Sequence, residues 1–186
     1  MEHYLTDNLI SGVIYADCLP LSCQQLAAPL PEAALVRLGQ ENDEILRALF
    51  VLSETPRESF NDAADPQQLH FKLNLILDLV SRLYLQSVIL PEVVSFRLTG
   101  RAIEWRTAEA LPVGQAVQLT LYLSDKYPRP LVLAGVVAAV TPLEESHFTV
   151  IVTLAPLTES SQDQLDKFIF RQHRRVVAYR KQVENS

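Results

Sequence analysis

Near the C-terminal end, Arg171, His173, Arg174, Arg175, Arg180 and Lys181 crowd one short stretch. Guanidinium forks pair with phosphate or carboxylate through parallel hydrogen bonds, so such a cluster can grip an anionic ligand or an acidic partner. The competing role is structural, because cations complement the negative end of a helix and meet carboxylates on an acidic surface. The other reactive residue types form no constellation. Cys18 and Cys23 lack CxxC spacing, have no His placed beside them by a motif, and read as reduced thiols. His3, His70, His147 and His173 fall in different predicted elements without HxH or HExxH spacing, so no metal site is expected. There is no GxSxG elbow, P-loop or dinucleotide fingerprint, and five glycines offer little for phosphate cradles. The sequence therefore predicts no catalytic residue, no cofactor and no enzyme activity.

Composition narrows the partners. The 186 residues are 48% hydrophobic, enough for one good core or a small core with an oligomerising appendage. A net charge of -6 and a pI near 5.2 argue against general nucleic-acid or anionic-membrane binding, which needs a strong basic field. Met1 to Asp7 carries acidic residues rather than a basic export signal. The most apolar window, Leu69 to Leu90, is interrupted by Lys72, Asp78 and Arg82, so it reads as a buried or interface element and not a membrane span. A cytoplasmic location is expected.

The elements that must position these side chains divide the chain into residues 1–30, 31–87 and 88–186. In the first part, residues 9–15 read as a short strand that adds to the edge of something else, stopped by Leu19-Pro20-Leu21. In the second, Leu35, Leu38, Asn42, Ile45, Leu49 and Leu52 recur at alternating spacings of three and four, as a heptad helix requires. Pro31 suits its first turn and Thr55-Pro56 its end, while Gly39 calls for a closely approaching neighbour. After a polar stretch, residues 57–66, the spacing resumes at Leu69, Leu73, Ile76, Val80 and Leu83. Alternation from Leu69 to Leu79 also fits a half-buried strand, but a long Leu-rich run without Gly or Pro favours a helix.

The two helices are predicted to form a hairpin. The apolar residues of the second spread beyond one seam to Leu75, Leu77, Leu79 and Leu85, so more than one face needs covering. A homo-oligomer built on both seams is the reading, with Asn42 fixing register; the rival is a purely intramolecular core.

In the third part the period changes to strands at residues 93–98, 102–105, 116–123, 131–140 and 148–154, separated by proline- and glycine-bearing turns. Several short strands closely spaced predict an antiparallel barrel or sandwich. A final helix from Ser160 to about Arg180 follows, N-capped by Ser160 or Ser161. Trp105 and Tyr127 are read as covering the core.

This order, with Leu111-Pro112-Val113-Gly114-Gln115 between strands and Phe168-Ile169-Phe170-Arg171-Gln172 on the last helix, is similar to the PilZ family over residues 90–180. The heptad helices resemble its atypical, tetramer-forming subgroup. The resemblance implies an α+β fold: a small antiparallel PilZ-like β-barrel, a long heptad-patterned helical hairpin before it and a C-terminal helix. It also implies a setting in bacterial cyclic di-GMP signalling. Standard members bind that nucleotide through RxxxR ahead of the barrel and [D/N]xSxxG on an early strand. Here only Gly100 of the second motif survives, since Ser95 and Arg97 stand at the acidic and serine positions, and Arg82 is followed by Gln86 where a second Arg is needed. The reading is thus a non-catalytic, tetrameric adaptor that docks an unidentified protein and does not use the standard nucleotide motif. The alternative is a cyclic di-GMP receptor with a different arginine site. The candidate contact residues are Arg97, Gly100, Arg101, Arg171, Arg174 and Arg175.

Overall fold

A computed structural model describes residues 9–53, 64–143 and 147–184. Six strands, β1 (Tyr15–Gln25), β2 (Val93–Leu98), β3 (Ala102–Thr107), β4 (Ala116–Leu121), β5 (Leu131–Pro142) and β6 (Phe148–Leu154), close into a barrel in the order β1-β2-β3-β6-β5-β4. All pairings are antiparallel. Helices α1 (Glu32–Ser53) and α2 (Ala64–Ser87) lie between β1 and β2 in sequence, and α3 (Glu159–Glu184) follows β6.

The first strand departs from the sequence expectation. Residues 9–14 are not a strand: Gly12 adopts φ 98°, a left-handed conformation that interrupts extended backbone. Ile10 instead packs against Ala102 and Ile151. The strand runs from Tyr15 straight through Pro20, because at that point it changes partner. Tyr15 to Pro20 pair with β2, and Leu21 to Gln25 pair with β4. A proline lacks the donor a ladder needs, and a partner switch is where the loss is tolerated. The bonds around it are made by neighbours: Leu21 N donates to Glu92 O (3.1 Å), and Tyr122 N donates to Pro20 O (3.0 Å). Far from adding to an edge, β1 closes the barrel.

Alternation along the strands fills the interior with Phe96, Leu98, Ile103, Trp105, Leu119 and Leu133 among others. Tyr15 meets Phe96 and Phe168 edge-on, with centroids 5.6 and 5.7 Å away, and so joins the barrel to α3. Gly135 lies beside the carbonyl of Thr153, where a Cβ would clash with backbone.

Among the described residues helix α1 packs chiefly on α3 and β5. Its seam is therefore spent inside the chain, which corrects the expectation that Asn42, Ile45 and Leu49 face another copy: all three are buried. The Asn42 amide, 2% exposed, donates to Val132 O (2.7 Å) and accepts from Val132 N (3.1 Å). The β5–β6 ladder reaches only to Gly135, so Asn42 supplies the pairing that Val132 lacks on that side. Leu35, Leu38 and Leu52 are half-buried. The close neighbour of Gly39 is the start of α3, where Ser161 Oγ donates to Gly39 O (3.1 Å). That hydroxyl is not the helix cap. Thr158 caps α3 by accepting the Ser161 N–H (3.3 Å), and the Ser160 hydroxyl donates to Asp43 (2.7 Å).

Replacing Asn42 by Ala strands two backbone groups of Val132. Asn42→Ala is expected to lower unfolding free energy by about 2–4 kcal/mol, read by denaturant titration at matched protein concentration.

Candidate functional site

The β2–β3 turn is built by Thr99. Its buried hydroxyl accepts the amides of Ala102 (3.0 Å) and Arg101 (3.3 Å), while its own N–H donates to Ala102 O (2.9 Å). Such a side-chain-closed turn leaves Gly100 at the tip, directly under α3. Gln162 Nε2 donates to Gly100 O (2.9 Å), and a Cβ on Gly100 would land on the Asp166 carboxylate. The glycine thus serves the approach of α3. A cavity of about 550 Å³ adjoins it, bordered by residues 11–13, Arg101, Gln162, Asp166 and Phe170.

The structure does not gather the candidate arginines into one anion site. Arg97 is committed across the ladder to Glu104 (3.4 Å). Arg101 sits at the rim of the Gly100 cavity. On α3, Arg171 lies over the Phe50 ring of α1 (5.3 Å), Arg174 over Phe170 (5.9 Å), and Arg175 lines a separate cavity. His173 Nδ1 contacts Ile14 O (3.0 Å), pinning the N-terminal segment to α3. His3 and the side chains of His70, Arg180 and Lys181 lie outside the described residues.

Helix α2 carries a row of exposed apolar residues. Leu69, Leu73, Ile76, Val80 and Leu83, the predicted seam, are between 55% and 66% exposed, and Phe71, Leu75 and Leu79 are exposed as well. Beyond the helix, Ile89 is 98% exposed. The face that does meet the chain is marked by Ser81, 4% exposed, whose hydroxyl donates to Lys126 O in the β4–β5 connection (2.6 Å). On a helical wheel Ser81 lies about 120° around from the middle of the seam, so anchoring α2 leaves the seam outward. Arg82 pairs with Asp78 on the same helix (3.0 Å). Sequence reasoning missed Ser81; its signal was a small hydroxyl within a Leu-rich run.

A family model described as atypical PilZ domain, cyclic di-GMP receptor, matches residues 47–182. The chain belongs to the atypical PilZ domain family. Comparison with curated proteins gives no match. Among solved structures, a pathogenic protein from Xanthomonas campestris, described as a tetrameric PilZ domain self-assembled through an unusual helical bundle, has 26% identity and a TM-score of 0.73. The alignment covers 89% of this chain and 90% of that one. The inhibitor of motility MotI/DgrA from Bacillus subtilis aligns over 43% of this chain and 41% of its own, with 14% identity and a TM-score of 0.36.

Within this PilZ fold the barrel begins at Tyr15, and residues 1–14 contain no arginine. Arg82 lies between the first two strands in sequence, not ahead of the barrel.

The two thiols of this PilZ chain differ. Cys18 is exposed, whereas burial, with a contribution from Glu109, pushes the Cys23 thiol up to about 11. The thiolate is the nucleophile, so near neutral pH Cys23 should react slowly. With an aromatic disulfide reagent at about pH 8, one fast thiol per chain is expected; Cys18→Ser should remove that phase, and Cys23→Ser should leave it.

Proposed function

We propose that this PilZ chain is a non-catalytic, cytoplasmic, tetrameric module of cyclic di-GMP-linked signalling. In it α2 builds the assembly, while α1 and the barrel form the body that docks a protein partner. The observation that carries this is the outward apolar seam of α2. Burying an exposed Leu, Ile or Val contributes about 1.5–3 kcal/mol. Five such residues on each of two or more helices can offset an association cost of about 4–15 kcal/mol. A second support is the Xanthomonas campestris protein, whose helical bundle makes it tetrameric. Among the described residues no helix is long and apolar enough to cross a membrane.

The same reading holds that the standard nucleotide motif is not used. Arg97, at its serine position, is paired with Glu104, and Gly100 is covered by Gln162. The arginines that remain point to different neighbours, which favours an adaptor over a receptor.

Size measurement by light scattering should give a tetramer for the native chain at micromolar concentration, with Leu73→Asp and Ile76→Asp shifting it to smaller species while far-ultraviolet circular dichroism keeps the barrel and α3 signal. A native monomer would sink the assembly reading. Calorimetric titration with cyclic di-GMP should give no saturable heat at micromolar concentrations; binding that disappears in Arg97→Ala or Arg174→Ala would establish the receptor instead.

A further inference from the structure

Between the β1–α1 connection and strands β4, β5 and β6 is a further cavity, of about 310 Å³. That volume is within the range of small-molecule sites, roughly 300–1,000 Å³. Val117, Ala134 and Leu154, all buried in the barrel, form part of its lining, so it reaches the core. Leu26, Leu30 and Leu35, each half-buried, supply an apolar wall from the connection and the start of α1. No charged side chain lines it, and among the described residues only Thr153 brings a side-chain polar group.

The backbone around the cavity is already paired. Gly135 and Val136 belong to ladders on both sides, with β4 and with β6. Ala155 N donates to Ala134 O (2.8 Å). Leu26 N donates to Ala116 O (2.8 Å), and Leu26 O accepts from Gln115 Nε2 (2.6 Å). Pro29 and Pro156, on the connections before α1 and after β6, have no N–H to offer, and their fixed φ limits the collapse of those connections into the space.

The chemistry of an occupant follows from this. Water inside would find too few of the about two to four polar partners it needs. A charged group would lose its hydration without compensation. An apolar body gives up little, and it removes the leucine wall from water.

We infer that this cavity binds a small uncharged apolar molecule, an aromatic or alicyclic body of one or two rings with at most one polar group. It shares only Thr153 with the Gly100 cavity and no residue with α2. The inference rests on neither the assembly reading nor the nucleotide reading.

The test is fluorescence titration of the full chain with N-phenyl-1-naphthylamine, an uncharged dye that brightens in apolar surroundings. Its comparator is 1-anilinonaphthalene-8-sulfonate, which adds a sulfonate to the same skeleton. The uncharged dye should saturate at micromolar concentration, and the sulfonate should bind at least about tenfold more weakly. Ala155→Phe, which fills the space, and Leu35→Gln, which makes its wall polar, should each weaken the uncharged dye about tenfold or more, with the circular dichroism of the native chain. Leu73→Asp on α2 should leave that affinity unchanged. No saturable binding, equal affinity for the two dyes, or full affinity in a folded cavity variant overturns the site. Affinity lost in Leu73→Asp places the dye on α2 and overturns it as well.

Discussion

Strand β1 pairs with β2 along its first half and with β4 along its second, so barrel closure depends on two strands that are neighbours in space but separated in sequence by residues 26–92. Closing a loop of about 70 residues costs on the order of 4 kcal/mol in chain entropy. The closed barrel then fixes both ends of the helical insertion. α1 departs from the β4 side of β1 and α2 must return to β2, so the insertion cannot swing free of the barrel. Pro20 sits at the hinge of this arrangement, where its missing donor is harmless.

Between those fixed ends the two helices carry similar heptad patterns and have opposite fates. α1 has residues that the barrel can use: Asn42 completes the hydrogen bonding of Val132, and Gly39 lets α3 approach until Ser161 reaches its carbonyl. Among the described residues α2 offers the barrel the polar contact of Ser81, and its apolar seam faces away. Polar anchors decide the orientation, because a buried donor or acceptor without a partner is costly, whereas an apolar face accepts any apolar cover. The heptad repeat of α1 thus describes a helix on a β-barrel, whereas that of α2 leaves its apolar seam exposed.

Much of the fold was legible in the sequence. The ends of β2 and β6 follow from alternation and flanking turns, and both long helices follow from periodicity. β1 was misread because proline normally stops a strand, and only the partner switch, a non-local fact, excuses Pro20. Periodicity identified the stripe on α1 without saying what covers it, since spacing is the same for a barrel and for a second helix. The α3 cap fell to Thr158 because Ser160 and Ser161 have partners on α1 that no local pattern reveals. The candidate site was least legible. Gly100 was visible as a motif glycine, but its function in admitting α3 depends on Gln162 and Asp166 far along the chain. The apolar cavity collects Leu26, Leu35, Val117, Ala134 and Leu154 from separate stretches, and no short motif joins them.

Trp105 is the chain's one tryptophan and lies within the barrel core. Its emission therefore reports on the β-barrel alone, and the three helices contribute no indole signal. Far-ultraviolet circular dichroism is dominated by those helices. The two spectroscopies divide the molecule along the line between barrel and helices, so their coincidence or separation during unfolding measures how tightly α1 and α3 are bound to the barrel's own cooperativity.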